Sequence, residues 1–196
     1  MKSFGTLGVV VAILAVLLIA GCGQYNGFVD GEENVEQAWS DVETEYQRRN
    51  DLIGNLVNTV KGAAEFERST LESVTQARAR ATSINIDASD LTPEKIAEFE
   101  AVQGQLNQGL GRLLATAENY PQLQATQGFR DLQVQLEGTE NRISTARKRF
   151  NESATAFNKK VRRFPGTVFA SVFGFDEKPQ FEAQAGAQNA PEVNFD

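Results

Sequence analysis

The feature that most constrains the fold of this chain is an apolar stripe with helical spacing in its second half. From residue 129 to residue 164, apolar side chains recur at steps of three and four. This period places them on one face of an α-helix, because a half-buried β-strand alternates at every second residue. Pro165 is predicted to end the helix, since proline lacks the amide hydrogen that a helix interior needs. A helix of about 54 Å with one apolar face requires partner helices to cover it.

The first half of the chain shows the same signature. Apolar residues of segment 32–60 follow a near-heptad period, with Arg49 at a position where the stripe would otherwise be apolar. Residues 63–81 are predicted to be helical with a thinner apolar face. Gly62 between them is either a turn or a glycine tolerated inside one long helix.

A third helical region has a clear start signal and a clear stop signal in the sequence. Residues 82–91 are predicted to be a loop, and Thr92 followed by Pro93 is a typical helix start, because threonine caps free amides and proline suits the first turn. The helix is expected to stop before Pro121. Strand signals are nearly absent up to Pro165. The sequence therefore predicts an all-α fold with long helices packed as a bundle.

The first 22 residues predict attachment to a membrane. Residues 4–20 are almost wholly apolar and follow Lys2. About 20 apolar residues can cross a bilayer core as a helix, and a signal peptide has the same basic start and apolar stretch. Ala20 and Gly21 precede Cys22, as in a bacterial lipoprotein box, where the cysteine carries the lipid and becomes the mature N-terminus. Two interpretations stay open: an uncleaved spanning helix and a chain lipidated at Cys22.

Both interpretations place the remaining chain outside the cytoplasm. Lys2 precedes the apolar run, whereas Asp30, Glu32 and Glu33 follow it. Basic residues are preferentially retained on the cytoplasmic side, so the N-terminus is expected to stay there. We therefore expect a bacterial, membrane-anchored protein that contacts the membrane through residues 4–22 and exposes its bulk to the periplasm or cell surface.

The amino-acid composition excludes several classes of binding partner and metal site. The formal net charge is -7, and an acidic domain is a poor candidate for binding nucleic acid or an anionic membrane surface. The chain has no histidine, so the usual Glu-x-x-His metal site of helical bundles is impossible. A single cysteine excludes an internal disulfide and a cysteine-based zinc site. We expect no metal, no cofactor and no catalytic residue.

Four polar residues are predicted to form a structural layer inside the bundle. Arg49 lies on the apolar stripe, and Glu137, Glu140 and Asn141 lie beside the corresponding stripe of the last helix. Polar groups that face a bundle interior need hydrogen-bond partners. Pairing of Arg49 with Glu137 or Glu140 would fix the register of the helices, as polar residues at bundle interfaces do.

The C-terminal region combines aromatic residues with a polar end. Residues 167–175 are predicted to be a short helix or an extended segment packed on the bundle, and residues 183–196 a flexible tail. Six of the thirteen phenylalanines lie from Phe164 onward, so the bundle, a membrane surface or a partner must cover them. The predicted organisation is a membrane-directing segment, a spacer, a helical bundle and a tail, at residues 1–22, 23–31, 32–182 and 183–196.

Several ordered segments carry a resemblance to a known family. They are ENVEQAWS at 33–40, QRRNDLIGNLV at 47–57, ENYP at 118–121, LEGTENRI at 136–143 and FGF at 173–175. Together they resemble the LemA family of bacterial membrane-anchored proteins over about residues 25–182. The resemblance implies an N-terminal anchor and an antiparallel, up-and-down four-helix bundle, with no known enzymatic activity. One departure is Gly54, where the family pattern commonly has proline.

Two functional hypotheses follow. The first is a non-enzymatic, envelope-anchored protein that acts by contacting other envelope proteins. The second is a sensor that binds a small molecule or lipid in the bundle interior. An open apolar cavity between helices would favour the second, and a continuously packed interior the first. An enzyme has no support in the sequence, which shows no activated nucleophile or positioned base. The oligomeric state is left open.

Overall fold

A computed structural model describes residues 2–62 and 66–182 of the 196-residue chain. Between residues 2 and 20 it describes the helical backbone, and the exposure of Gly8, Val11, Ala12, Ala15 and Val16 only. The described residues form helices, turns and loops without a β-strand, which confirms the all-α prediction. The helices are α1 (Lys2–Lys61), α2 (Arg68–Ser83), α3 (Pro93–Ala117), α4 (Pro121–Gln124), α5 (Gln127–Arg162) and α6 (Gly166–Phe173), with a 3₁₀ turn at Ala88–Asp90.

Helix α1 is longer than the sequence pattern predicts. It runs through 60 residues without interruption, so residues 23–31, predicted to be a spacer, are part of the helix. Phe28 in this segment is fully buried, and its packing explains why the glycines nearby do not break the helix. Gly62 lies in a turn directly after α1, which settles the alternative that the sequence left open.

The second helical region begins later than predicted. Phe66 and Glu67 are not helical, and α2 starts at Arg68, whereas the sequence predicted helix from residue 63. Residues 63–65 lie outside the described part of the chain. The N-cap of α3 is confirmed, since the Thr92 hydroxyl accepts a hydrogen bond from the amide of Lys95 at 3.3 Å.

The last two helices follow the proline and glycine signals. Helix α5 is 36 residues long and ends at Arg162, ahead of Pro165. The segment after it forms helix α6, the helical alternative of the two predicted. Gly174 ends α6 with a φ of 78°, a left-handed conformation that glycine adopts without steric cost.

Helix α1 packs chiefly against α5, and α2 packs chiefly against α3. The first pair is antiparallel, because Lys160 near the end of α5 donates to the Gly27 carbonyl near the start of the bundle. Helices α1 and α2 meet at Gly54, where an added Cβ would lie 2.9 Å from the Arg78 guanidinium carbon. Arg78 Nε donates to the carbonyl of Asn50 at 2.8 Å across this contact.

The interior consists of two groups of buried side chains. The aromatic cluster lies toward the α6 end and is built around Phe28, Trp39, Tyr46, Phe99, Phe150, Phe157 and Phe181. The aliphatic cluster lies toward the other end of α1 and is built around Ile53, Leu56, Val60, Val74, Leu106, Leu110, Leu113 and Leu136, with one ring from Phe129.

A segment after α6 folds back along the α1–α5 pair. We call residues 175–182 the C-terminal strap. The side-chain amide of Asn158 makes two hydrogen bonds with the backbone of Lys178, and that of Asn151 makes two with the backbone of Phe181, all between 2.8 and 2.9 Å. The strap thereby places Phe181 in the aromatic cluster. The predicted tail, residues 183–196, lies outside the described residues.

Within the part of the chain that the structure describes, no helix is both long and apolar enough to cross a membrane. The predicted membrane-directing segment, residues 4–22, falls mostly on positions whose side chains are outside this description.

Candidate functional site

Arg49 is the charged residue within the buried stripe of α1. It lies between Tyr46 and Ile53, three residues after one and four before the other, so all three share a helix face. Its side chain is only 1% exposed. A guanidinium stays charged at any accessible pH, so its burial requires partners that neutralise the charge and accept its hydrogen bonds.

Three side chains from two other helices supply those partners. Arg49 Nη1 donates to Asn107 Oδ1 at 2.9 Å and to Glu140 Oε1 at 3.1 Å. Arg49 Nη2 donates to Gln103 Oε1. Gln103 and Asn107 are one helical turn apart on α3, and Glu140 lies on α5. We call these four residues the Arg49 layer; it ties α1, α3 and α5 together in one register.

The remaining contacts of Arg49 involve an aromatic ring. Its guanidinium carbon lies 4.7 Å from the centroid of the Tyr46 ring, within cation–π range. Arg49 Nε is buried and makes no hydrogen bond. Burial raises the pKa of the Tyr46 phenol above its ordinary value, although the charges of Arg147 and Arg49 act in the opposite direction. The phenol is therefore neutral at physiological pH.

Two further arginines of α5 form ion pairs close to this layer. Arg147 pairs with Glu100 of α3, and its guanidinium carbon lies 4.4 Å from the centroid of the Phe181 ring. Arg142 Nε pairs with Glu45 Oε2 of α1 at 3.1 Å. Together with Arg49, these pairs connect α5 to both α1 and α3 by charged contacts.

An open cleft of about 850 Å³ lies over the layer, with α3 and α5 as walls and α1 as floor. Its charged lining residues are Arg49, Glu100, Glu140, Arg147 and Glu182. Both guanidinium groups in the cleft are already paired with a carboxylate. The cleft therefore offers polar hydrogen-bonding groups without a free positive charge for an anion.

The cleft presents few groups of the kinds that act as nucleophile, base or metal ligand. The hydroxyl groups that line the cleft belong to Tyr46 and Ser144, and the chain has no histidine to act as their base. Among the described residues, no group of three or more carboxylate or thiol side chains is placed to hold a metal ion. The geometry of the layer is that of a cross-link between helices.

A comparison with protein-family models identifies the family of this chain. The model described as the LemA family matches residues 38–195, which include all four members of the Arg49 layer. The chain belongs to the LemA family.

Relatives of this LemA-family chain carry two names. Magnetosome protein MamQ 1 of Paramagnetospirillum magneticum is 28% identical over 194 residues, covering 88% of this chain and 68% of the relative. Magnetosome protein MamQ of Magnetospirillum gryphiswaldense is 28% identical over 198 residues, covering 90% and 70%. Protein LemA of Metamycoplasma hominis is 24% identical over 142 residues, covering 72% and 61%.

The residues predicted for the polar layer of this LemA-family chain are distributed unevenly. Arg49 and Glu140 meet in an ion pair. Glu137 and Asn141 are exposed, and neither contacts Arg49. Glu140 lies four residues after buried Leu136, so it stands at the edge of the buried stripe, whereas Glu137 and Asn141 turn toward solvent.

Gln103 and Asn107 belong to the Arg49 layer but are not predicted by the sequence pattern. The three-and-four spacing allows either Val102 or Gln103 on the apolar stripe that contains Phe99 and Leu106. Hydrophobicity favours the valine at this position. The structure buries Gln103 and leaves Val102 half-buried. The sequence signal that could have found Gln103 is its position on the stripe of α3. Arg49 is likewise a polar residue on the stripe of α1, and two such residues can pair.

Cys22, the predicted lipid attachment point, lies on α1 with its thiol exposed and unpaired. It is at the end of the bundle where α6 packs, far along α1 from the Arg49 layer.

Proposed function

We propose that this LemA-family chain is a non-enzymatic, membrane-anchored scaffold of the bacterial envelope, whose helical domain contacts other envelope proteins outside the cytoplasm. The observation that carries this proposal is the continuity of α1. The helix that contains the apolar run 4–20 continues without a spacer into the buried core. An anchor joined to a domain by one unbroken helix holds that domain at a fixed height and orientation.

The length of α1 supports a role in holding binding surfaces at a distance from the membrane. Residues 21–61 of α1 rise about 60 Å at 1.5 Å per residue. We infer that α1, α2, α3 and α5 form an up-and-down four-helix bundle over part of this length, because α2 and α3 have only 16 and 25 residues. Supporting contacts are Arg80 of α2 with Gln105 of α3, and Arg147 of α5 with Glu100 of α3. Two clusters of buried side chains run along the interior, which favours a scaffold over a carrier with an apolar cavity.

The comparisons are consistent with a non-enzymatic role. The MamQ relatives are named for a cellular structure, the magnetosome, and their names state no reaction. The proposal for this chain rests on its own features: the apolar N-terminal run, the unbroken helix and the absence of histidine from the sequence.

Attachment and orientation are tested in cells that express the chain. The full chain should remain in carbonate-washed membranes, and deletion of residues 2–21 should release it. A Val134→Cys variant in a Cys22→Ser background should react with a membrane-impermeant maleimide in intact cells, because Val134 is 68% exposed at the far end of the bundle. Labelling only after lysis would reverse the orientation, and recovery of the full chain without detergent would refute the anchor. The intact mass of the native protein distinguishes a chain that begins at Met1 from one lipidated at Cys22.

The scaffold role is tested by photo-crosslinking at two heights. A photoreactive amino acid replaces Val134 at the far end or Arg149 on the middle of α5, both exposed. Mass spectrometry should find envelope proteins whose identity depends on the height of the probe. A membrane-bound chain that yields no specific adduct at either position would refute the scaffold.

The cleft over the Arg49 layer favours a second candidate, the binding of a small polar molecule. The volume of the cleft suits a metabolite. Its polar lining suits a ligand that forms hydrogen bonds better than it suits a lipid chain. Gly104→Leu fills this cleft without an initial clash, since a Cβ at Gly104 meets nothing within 4 Å. A polar compound that raises the melting temperature of the native chain and not of Gly104→Leu would support this candidate.

A further inference from the structure

Helix α6 exposes an apolar surface that the bundle does not cover. Phe164 is 84% exposed and Val172 is 72% exposed, and Val168 lies one turn before Val172 on the same face of the helix. Large exposed apolar side chains are unusual when grouped, and a contiguous group of them marks a site of interaction. We call Phe164, Val168 and Val172 the α6 patch.

The opposite face of α6 fixes the patch at one height along α1. A Cβ added to Gly21 would lie 3.3 Å from Phe169 Cε1, so the absence of a side chain at Gly21 lets α6 approach. The rings of Phe173 and Tyr25 make an edge-on contact at 5.2 Å between centroids. Helix α6 therefore lies beside residues 21–25, directly after the apolar run 4–20.

Basic residues lie on one side of the patch. Lys159, Lys160 and Arg162 form the last turn of α5, and Arg163 caps it before Phe164 and Pro165 lead into α6. The nearby acidic residues are Asp176 and Glu177 after α6, with Asp30, Glu32 and Glu33 on the facing part of α1; Glu177 lies 3.6 Å from Arg162, and Glu32 pairs with Lys178. Among the described residues, no carboxylate pairs with Lys159, Lys160 or Arg163, so these exposed cations remain available beside the patch, although the whole chain has a net charge of -7.

We propose that the α6 patch and the basic end of α5 form a docking surface for an anionic lipid bilayer, namely the membrane that α1 enters. This inference rests on the proposed anchor. An interfacial helix buries its apolar face at the boundary between headgroups and acyl chains, while basic residues beside it bind anionic headgroups. The patch lies at the level where α1 would leave the hydrocarbon, so the membrane reaches it without any rearrangement of the bundle.

This surface explains how an acidic domain docks on an anionic membrane. The overall negative charge disfavours such contact, as the composition predicts. Folding places the basic end of α5 beside the patch at the anchored end, and the Debye length of about 8 Å in physiological salt screens the acidic residues farther along the bundle from the headgroups. Docking would hold the bundle at a fixed tilt through a second contact besides α1.

The test uses the full chain with Cys22→Ser, reconstituted in nanodiscs of an equal mixture of phosphatidylcholine and phosphatidylglycerol. Nitroxide labels are attached at Val172→Cys, at Val16→Cys in the apolar run, and at Val134→Cys at the far end of α5. Power-saturation electron paramagnetic resonance compares collisions with oxygen, which concentrates in the bilayer, and with a water-soluble nickel chelate. Labels at positions 16 and 172 should favour oxygen, and the label at position 134 should favour nickel.

The three labels separate failure of this inference from failure of the anchor. A label at 16 in the bilayer with a label at 172 in water would overturn the docking surface and leave the anchor intact. Both labels in water would overturn both proposals.

A charge variant tests the basic end of α5. Lys159→Glu with Arg163→Glu should reduce the oxygen preference at position 172 several-fold, whereas Arg112→Glu, an exposed arginine of α3, should leave it unchanged. An equal response to both variants would overturn the role of the basic residues.

Discussion

The aliphatic and aromatic clusters of the core are built from different sets of segments. The aliphatic cluster is built almost entirely from the facing sides of the long helices, with side chains such as Ile53, Leu106 and Leu136. The aromatic cluster needs additional residues from outside these helices: Ile86 from the loop after α2, Ala170 from α6 and Phe181 from the C-terminal strap. The loop is also tied to this half, because Trp39 Nε1 donates to the Ile86 carbonyl at 3.1 Å.

The difference lies in how far each half relies on residues outside the long helices. Aliphatic side chains of neighbouring helices interdigitate and fill the space between them, and Leu123 of α4 joins them. In the aromatic half the strap adds Phe181, with its ring 5.9 Å from that of Trp39 and 5.4 Å from that of Phe150. The aromatic half therefore depends on the strap, whereas the aliphatic half is closed almost entirely by the helices themselves.

The largest expected effect probes the centre of the aromatic cluster. Phe150→Ala should lower the free energy of unfolding by about 3–5 kcal/mol, because it removes a fully buried ring. Urea unfolding of the full chain in mild detergent, followed by the fluorescence of Trp39, measures this loss. Lys148→Ala, at a side chain that is 78% exposed, should cost less than about 1 kcal/mol. Equal losses would mean that the stripe of α5 faces another direction.

The Arg49 layer lies between the two clusters, and a double-mutant cycle measures its strength. Arg49→Met and Glu140→Gln should show a coupling free energy of about 1–2 kcal/mol. Hydrogen bonds to charged groups contribute more to stability than exposed ion pairs do, but Glu140 is 46% exposed, which limits the coupling. Arg49→Met with Glu137→Gln should show coupling near zero, because Glu137 is exposed and does not contact Arg49. Similar coupling for both carboxylates would refute the assigned geometry.

A smaller effect is expected where the strap is held on the aromatic half. Asn158→Ala removes two hydrogen bonds to the backbone of Lys178 and should cost about 1–2 kcal/mol. The amide of Lys178 should then exchange with solvent faster, which hydrogen-exchange measurements detect. Asn141→Ala, at an exposed asparagine on the same helix, should change stability by no more than about 0.5 kcal/mol. If Lys178 exchange is unchanged, the strap is held by other contacts.

The smallest expected effect concerns pH. Because burial raises the pKa of Tyr46 in the folded chain, the unfolded chain loses this proton first as pH rises. The stabilisation from the neutral phenol is complete below the unfolded pKa and is lost as pH rises through the folded pKa, by at most about 1.4 kcal/mol per pH unit. Tyr46→Phe should therefore lose less stability at alkaline pH than the native chain. Identical alkaline profiles would show that this phenol is not buried.

Local patterns allowed much of the helical framework to be predicted from the sequence. The three-and-four spacing defined the buried stripe of α5, and Thr92 with Pro93 defined the start of α3. The position of Arg49 on a stripe indicated a buried charge, and acidic residues beside the α5 stripe indicated its counterion. Each of these signals depends on residues within a few helical turns of one another.

Other features depended on contacts between segments far apart in the chain. Polar and glycine residues at 23–31 predicted a spacer, but the packing of Phe28 against Phe175, with ring centroids 5.1 Å apart, stabilises helix there. Gln103 and Val102 both fit the stripe of α3, and only the buried guanidinium opposite selects glutamine.

The sequence by itself determined that the chain is helical, where the long helices carry their apolar faces, and that it belongs with LemA-like proteins. The tertiary structure decided which carboxylate meets Arg49, that the strap covers the aromatic rings, and that α6 lies beside the start of the bundle. The physical reason is that helical periodicity is a local property of the backbone. The partners of a buried side chain depend on the packing of all the helices together.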